Sequence, residues 1–241
     1  YTLNFGRNST THPIYPTSGS RVNLSMQLTP PWSLFQQWGS DTEIDFLSRS
    51  TQERYKWIEF HKWKFQAEFY TPLDQNKNPV VLYTKVNFGI MAPYNMGVGN
   101  SPFERFYIGG SGLTGVNNIT GNEIIPLRGY IDHQQWGTEA NANGGVAAAK
   151  YTAEIRVPFS LNPSATVFGL AFVEAGNNFS ELSDFDPFDM KRSAGVGLRV
   201  FLPMFGLLGL DYGWAFDSLN GAPIDRTGQF TFTIGGNISG W

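Results

Sequence analysis

The sequence predicts an all-β fold, a transmembrane antiparallel β-barrel to which this chain contributes about nine strands. Apolar and polar residues alternate with a period of two along most of the chain, which is typical of strands with two different faces. Aromatic and aliphatic residues occupy one face, whereas Lys, Arg and Glu occupy the other. The connections are alternately short and long, as in outer-membrane barrels. A soluble β-sandwich or lipocalin-like barrel would explain the alternation, but not this division of residue types.

The composition is compatible with a barrel in a membrane. Aromatic and charged residues each make up 15% of the 241 residues, and the mean hydropathy is −0.23. A barrel shows such values because half of each strand faces water or a polar interior. The densest apolar run, Val200–Leu210, contains one proline and two glycines and is shorter than the roughly 18 apolar residues of a membrane helix. No signal peptide is present, so an exported protein would be represented here by a mature product or a fragment.

The alternating segments define the elements in order. The nine predicted strands cover Tyr1–Gly6, Arg21–Leu28, Lys62–Phe69, Val80–Ile90, Tyr151–Phe159, Thr166–Gly176, Ser193–Leu202, Leu208–Trp214 and Phe230–Gly235. A polar loop is expected from Pro30 to Arg54, and a long glycine-rich connection covers residues 92–147. Nine strands cannot form the even-numbered barrel expected of a single bacterial chain. The sequence is therefore expected to be the C-terminal portion of a longer barrel.

Charged residues help to assign the faces of the strands. The third strand carries Lys62 and Lys64 on one face. A lysine facing lipid at mid-membrane would cost about 2–4 kcal/mol, so both are expected to face a polar interior. The sixth segment is apolar on both faces except for Glu174, so the period does not assign its inner face.

Several function classes find no support in the sequence. The absence of cysteine excludes disulfides and thiolate chemistry. His12, His61 and His133 show no metal-ligand spacing, so no metal or other cofactor is predicted. The net charge is −3 and there is no basic block, which argues against a nucleic-acid partner.

One arginine in the long connection stands out. Arg128 follows the apolar residues Ile125–Leu127 and precedes Gly129 and Tyr130. Such an arginine can reach into a cavity, where it needs an acidic partner because an unpaired buried charge is strongly destabilising. The alternative is an Arg-Gly turn on a solvated loop, and these residues alone do not decide between the two.

Taken together, the motifs resemble the C-terminal half of the barrel in the BamA family of outer-membrane assembly factors, within the POTRA/β-barrel superfamily. The matching motifs, in chain order, are Tyr15-Pro16-Thr17-Ser18-Gly19-Ser20-Arg21, Phe106-Tyr107-Ile108-Gly109-Gly110, Leu127-Arg128-Gly129-Tyr130, Gly195-Val196-Gly197-Leu198-Arg199, Leu210-Asp211-Tyr212-Gly213 and Phe230-Thr231-Phe232-Thr233-Ile234-Gly235. The resemblance covers essentially the whole chain and implies strands eight to sixteen of a sixteen-stranded barrel. It also implies that the loop within residues 92–147 is extracellular and folds into the lumen.

The resemblance assigns roles to individual residues. It implies that Arg128 is held by acidic residues on the two following strands, which match Glu154 and Glu174; the family usually has aspartate at the second position. The alternatives are that Glu154 pairs with Arg156 or Lys62, and that Glu174 lies at a hydrated rim. The terminal strand, with Phe230, Phe232, Ile234 and Gly235, is implied to form one side of a weakly paired seam. Here the chain continues past the family's terminal aromatic position to Trp241.

The resemblance implies a function without enzymatic chemistry. Family members fold and insert nascent outer-membrane β-barrel proteins in the outer membrane of Gram-negative bacteria. Their partners are those nascent barrels, accessory lipoprotein subunits, and outer-membrane lipid or lipopolysaccharide. The alternatives are a translocation pore of the same superfamily, either a two-partner secretion pore or a TamA-type factor, and a passive porin. An outer-membrane hydrolase is a further alternative, although no nucleophile accompanies the histidines in the sequence.

Overall fold

The computed structural model describes residues 1–110, 123–130, 144–218 and 228–234. Its main element is a nine-stranded sheet in which all neighbours are antiparallel, which confirms the predicted fold class. The strands are β1 Thr2–Asn8, β2 Gly19–Leu28, β3 His61–Pro72, β4 Val81–Ala92, β7 Ala147–Asn162, β8 Ala165–Phe179, β9 Lys191–Leu202, β10 Gly206–Ala215 and β11 Gln229–Ile234. Two further strands, β5 Phe106–Ile108 and β6 Glu123–Ile125, form a separate parallel pair within the long connection.

Neighbours in the sheet follow chain order, except that β4 pairs with β7 across the long connection. The register places Lys62 opposite Met91 and Tyr83 opposite Glu154. Because side chains alternate between the faces of a strand, the register also decides which residues share a face. We call the face that carries Lys62 and Glu154 the inner face of the sheet.

Burial separates the two faces of the central strands, whereas β1 is exposed and β2 partly buried along its whole length. On β4, Val81, Tyr83 and Lys85 are buried on the inner face, whereas the residues between them are partly exposed. Outward-facing apolar side chains are far more accessible; Phe159 on β7 and Val173 on β8 are 67% and 55% exposed. An apolar exposed face opposite a charged buried face is the arrangement of a barrel that stands in lipid.

The inner face of β8, which the sequence period left open, carries Phe168, Leu170, Phe172 and Glu174. Its three apolar residues pack in a buried cluster with Tyr15, from the turn between β1 and β2. The inner face can be apolar here because this turn folds against it and excludes water.

The turn that carries Tyr15 is fixed by hydrogen bonds as well as by packing. The Tyr15 hydroxyl lies 3.0 Å from the carbonyl oxygens of both Pro79 and Arg156, to which it can donate. Its ring meets Phe168 edge-on, with 5.1 Å between centroids. Burial raises the pKa of Tyr15 to about 12, so the hydroxyl remains a donor at neutral pH.

The region predicted as a polar loop, Pro30 to Arg54, contains two short helices. These are α1 Trp32–Trp38 and α2 Thr51–Arg54, and a 3-10 turn, Leu182–Asp184, follows β8. Glu59 holds α1 by accepting hydrogen bonds from the Ser33 amide and hydroxyl, both at 2.6 Å. In the described ranges, no helix is long and apolar enough to cross a membrane.

The long connection packs on the inner face through its own small core. Buried side chains of β5 and β6 lie among residues of β4, β7 and the loop itself. The core residues are Phe60, Met91, Phe106, Ile108, Ile125, Leu127, Tyr130, Val146 and Ala148. Ala148 and Gly176 on the inner face give the loop room, since Ala148 is part of this core and a Cβ at Gly176 would lie 2.9 Å from Ile108 Cδ1.

Candidate functional site

The backbone around Arg128 lies directly against β10. Gly129 has φ +91°, a conformation that side chains other than glycine rarely adopt. A Cβ there would lie 3.0 Å from the backbone of Trp214, and one at Gly213 would lie 2.9 Å from the Gly129 nitrogen. Glycine is therefore required at position 129 for two reasons: the positive φ of the turn and the close approach to the β10 backbone.

Glu174 on β8 is the main partner of Arg128. Its Oε2 accepts a hydrogen bond from the Arg128 backbone amide at 3.0 Å. Its Oε1 accepts two more from the guanidinium, from Nε at 3.0 Å and from Nη2 at 2.8 Å. Both guanidinium donors thus share one oxygen, because the other oxygen is used by the backbone. The extra methylene of glutamate, compared with aspartate, allows one carboxylate to hold both parts of the arginine.

Glu154 on β7 completes the pair of carboxylates that the resemblance implied. Its Oε1 lies 2.7 Å from Arg128 Nη2. Its Oε2 accepts hydrogen bonds from Arg156, at 2.8 Å from Nε and 2.7 Å from Nη2. Of the three partners considered for Glu154, Arg128 and Arg156 both contact it, whereas Lys62 pairs with Glu104 and Glu123 instead. Glu174 is 4% exposed and does not lie at a hydrated rim.

A third carboxylate, which sequence reasoning missed, lies close to the arginine. Asp211 on β10 places Oδ2 3.6 Å from Arg128 Nη1. Arg199 on β9 holds Asp211 through two hydrogen bonds of 2.7 and 2.8 Å. Among the described residues, none accepts a hydrogen bond from Arg128 Nη1. The missed signal was an arginine and an aspartate on the polar faces of two consecutive strands.

The site is a buried network of seven charged side chains. The cations are Arg128, Lys150, Arg156 and Arg199, and the anions are Glu154, Glu174 and Asp211. The Arg128 guanidinium also stacks 3.7 Å from the ring centre of Phe172. Such charges are tolerated inside a protein only where each is paired and hydrogen-bonded, and removal of one partner typically costs about 3–5 kcal/mol.

The network keeps the loop arginine charged. Burial alone would lower the pKa of Arg128, but Glu174, Glu154 and Asp211 outweigh it and raise the pKa above its ordinary value. The ionic contact is therefore maintained at every pH at which the carboxylates remain ionised.

The aromatic-Gly-Gly motif lies beside the arginine motif. Phe106 and Gly145 exchange two backbone hydrogen bonds of 2.9 and 2.8 Å. Gly109 and Gly110 both have positive φ, and the Gly110 carbonyl accepts from the Leu127 amide at 3.1 Å. Tyr107 is partly buried on β5, between the buried residues Phe106 and Ile108. The two motifs of the long connection therefore support each other directly.

Tyr130 extends the contact of the loop toward β9. Its hydroxyl donates to the Arg192 carbonyl at 2.9 Å. Its amide donates to the Leu127 carbonyl at 3.3 Å, which tightens the turn around Arg128. Arg128, Gly129 and Tyr130 thus reach four different strands, β7, β8, β9 and β10.

The terminal strand is separate from this cluster. On β11, Phe230, Phe232 and Ile234 point outward and are 73%, 48% and 62% exposed. They pair with Tyr212, Leu210 and Leu208 of β10. Gly235, which was expected to belong to the same strand, lies outside the described residues, as do Trp241 and His133.

These features define a β-barrel membrane protein in which a long connection is anchored to the inner wall by a buried arginine. The family model of the Omp85 superfamily domain matches residues 1–238, so the chain belongs to the Omp85 superfamily. This family consists of outer-membrane β-barrel proteins.

A solved structure has the same fold. It is the crystal structure of BamA from Haemophilus ducreyi lacking POTRA domains 1-3, with a TM-score of 0.62 and 21% sequence identity. The match covers 96% of this chain and 41% of that chain, so the present sequence spans less than half of its length.

Proposed function

We propose that this chain is the C-terminal part of the barrel of a BamA-type central subunit of the outer-membrane protein assembly machinery. In this role it folds and inserts β-barrel proteins without chemical turnover. Superfamily membership and the shared barrel fold support the proposal. The observation that carries it is the buried Arg128 cluster, which fixes the long connection to β7, β8 and β10, beside the terminal strand. In this proposal, the described parts of the long connection, residues 92–110, 123–130 and 144–147, belong to a loop that folds into the lumen.

The terminal strand supplies the surface for the assembly reaction. β11 is the last strand in the order of the sheet and pairs with β10 along one edge. Its other edge presents backbone donors and acceptors that no strand in the described part of the chain pairs with. An extended client segment can add to such an edge by main-chain hydrogen bonds. The anchored loop holds β10 in place while this happens.

The inner face argues against a passive pore. Three charged residues of this face, Lys62, Glu154 and Glu174, are only 1%, 5% and 4% exposed. A polar cavity of about 490 Å³ remains beside Glu154 and Glu174, and Ile14 and Pro16 of the turn between β1 and β2 also line it. The long connection covers the three charged residues from one end, and the turn with Tyr15 covers the inner face of β8 near the other end. A wall covered in this way suits a scaffold that holds strands better than a channel for solutes.

The proposal implies partners that suit these surfaces. Nascent outer-membrane β-barrel proteins are the clients at β11, and accessory lipoproteins are the partner subunits. Lipid and lipopolysaccharide of the outer membrane contact the exposed aromatic and aliphatic face.

An assembly assay tests the proposal. The full-length protein in proteoliposomes is given an unfolded β-barrel client, and the heat-modifiable, folded client is measured over time. Arg128→Ala is expected to reduce the initial rate about tenfold, which corresponds to roughly 1.4 kcal/mol in the barrier. Arg192→Ala is the matched control, because Arg192 is 65% exposed and pairs with Asp217 at the surface.

Two outcomes would contradict the proposal. The first is an unmodified protein that folds no client but secretes a partner exoprotein, which would indicate a translocation pore of the same superfamily. The second is an Arg128→Ala variant that remains folded and retains the full rate. If that variant fails to fold, Glu174→Gln provides the same test, because Lys150 and Thr152 still contact position 174.

A further inference from the structure

A second set of ion pairs connects the long connection to β3, a strand that Arg128 does not contact. Glu123 on β6 places one carboxylate oxygen on each of two lysines of β3. Oε2 lies 2.8 Å from Lys62 Nζ, and Oε1 lies 2.6 Å from Lys64 Nζ. Since the two lysines are two residues apart on one strand, both point to the inner face, where the carboxylate bridges them.

Lys62 is buried and fully engaged. It is 1% exposed, and its ammonium donates to the Glu104 carbonyl at 2.8 Å and approaches the Glu104 carboxylate at 3.3 Å. It also lies 4.7 Å from the ring centre of Phe106. A buried ammonium has three donors, and here the loop supplies an acceptor for each of them. These acceptors all belong to the long connection, so the lysine serves to hold that connection.

The loop backbone is shaped to make these contacts. Glu104 has φ +64°, the one positive value of a residue other than glycine in the described ranges. Such a conformation is uncommon and persists where surrounding contacts determine it. Here it allows both the carbonyl and the carboxylate of Glu104 to reach Lys62.

The electrostatics of Glu123 agree with this geometry. Burial by itself raises the pKa of the Glu123 carboxyl, but Lys62 and Lys64 outweigh burial and hold the pKa below its ordinary value. The carboxylate is therefore ionised, and the bridge is formed, at neutral pH.

The two sets of contacts lie on opposite sides of the loop. Glu123 binds β3, whereas Arg128 binds β7 and β8 and approaches β10. Between these contacts, β5 and β6 pack over β4 and β7 in the core that contains Met91 and Ala148. In the order of the sheet, β4 separates β3 from β7, and β9 separates β8 from β10. The loop thus crosses the inner face of most of the sheet.

We propose that Lys62 and Lys64 form a second anchor with Glu123 and Glu104, and that the long connection is a two-point brace that ties β3 to β7, β8 and β10. The strand ladder alone allows the sheet to bend about its strands. A packed segment that is fixed at Glu123 and again at Arg128 prevents this bending and holds the wall at one curvature. Under the proposed function, on which this role rests, the brace keeps the wall rigid while the edge at β11 pairs with a client.

Trypsin provides a separate reporter for each anchor. Arg105 is buried between Glu104 and Phe106, where it donates to Ser101 and Gly144 carbonyls, so cleavage after it reports release of the Lys62 anchor. Cleavage after Arg128 reports release of the other anchor. Both rates are measured by mass spectrometry on the folded full-length protein in proteoliposomes.

The variants form a double-mutant cycle of Lys62→Met and Glu123→Gln. Each single variant is expected to increase cleavage after Arg105 about tenfold and to leave cleavage after Arg128 unchanged. Cleavage after Arg105 in the double variant is expected to be no faster than in the faster of the two single variants, because contacting residues have non-additive effects. Lys77→Met is the matched control, since Lys77 lies exposed in the turn between β3 and β4. If Lys62→Met does not fold, the nearly isosteric Glu123→Gln carries the test.

The brace is overturned if Glu123→Gln leaves the Arg105 site fully protected. It is also overturned if both sites are released together in every variant, because the loop then has no independent second anchor. Assembly rates of the same variants test the role separately. If a variant releases the loop but assembles clients at an unchanged rate, the second anchor exists but does not contribute to the proposed function.

Discussion

Replacement of Arg128 by alanine is expected to destabilise the folded barrel by about 3–5 kcal/mol, the usual cost when a buried ion pair loses one partner. The structure explains why the cost does not multiply, although three carboxylates lose a partner. Asp211, whose Oδ2 lies 3.6 Å from Arg128 Nη1, keeps Arg199 at 2.7 Å. Glu174 keeps Lys150 at 2.9 Å, and Glu154 keeps Arg156 at 2.7 Å. The loss of the contact between the guanidinium and Phe172 adds about 0.5–2 kcal/mol.

Equilibrium unfolding in urea measures this loss. The protein is unfolded from lipid vesicles, and the intrinsic fluorescence of its 7 tryptophans is followed. The expected result is a lower midpoint with an unchanged slope, which indicates a change in stability rather than in exposed surface. Arg192→Ala is expected to cost less than about 1 kcal/mol, because exposed ion pairs contribute little. An equally small loss for Arg128→Ala would refute the reasoning, since Arg128 would then behave as a surface residue.

Three further perturbations follow from the geometry. Gly129→Ala should lower the free energy of unfolding in urea more than Gly206→Ala does. Both glycines have positive φ, but only at Gly129 would a Cβ meet the β10 backbone. Equal losses would contradict the close approach. For Glu123, whose folded pKa is depressed, the stabilisation is complete above the ordinary value of 4.5 and is lost as the pH falls through the lower folded value. Loop amides should therefore exchange faster below pH 4.5, after correction for intrinsic rates, and this dependence should be absent in Glu123→Gln; a dependence that persists there would have another source. Tyr15→Phe removes one shared hydrogen bond and should cost about 1 kcal/mol in the same urea assay, whereas no measurable loss would show that packing alone holds the turn.

Strand positions could be predicted from the sequence because a barrel wall separates two environments. Lipid on one side and a charged interior on the other impose a period of two, and β2, β4 and β9 follow it closely. The rule fails on β8, where Phe168, Leu170 and Phe172 are apolar although they point inward. Their partner is Tyr15, more than a hundred residues earlier in the chain, and a local pattern does not reveal such a contact.

The charged cluster could be predicted only in part. Arg128, Glu154 and Glu174 were indicated by the resemblance, and the structure places them in contact. Asp211 was not indicated, because its role depends on how closely Gly129 approaches β10. That approach is a property of backbone packing between two segments that are distant in sequence.

The loop itself was the least predictable part. Lys62 and Lys64 were expected to face inward, but their partner Glu123 could not be identified from the sequence. The short strands β5 and β6 were also missed, since three residues are too few to show a period. Their conformation depends on the inner wall on which they pack, and in particular on the small residues Ala148 and Gly176.

A double-mutant cycle between Arg128 and Glu174 tests the central claim most directly. Unfolding free energies of Arg128→Met, Glu174→Gln and the double variant give the coupling between the two side chains. Direct contact between buried charges predicts that the two single losses exceed the double loss by about 2–3 kcal/mol. Losses that add to within about 0.5 kcal/mol would mean that the loop arginine does not contact Glu174, its main partner on the wall of the barrel.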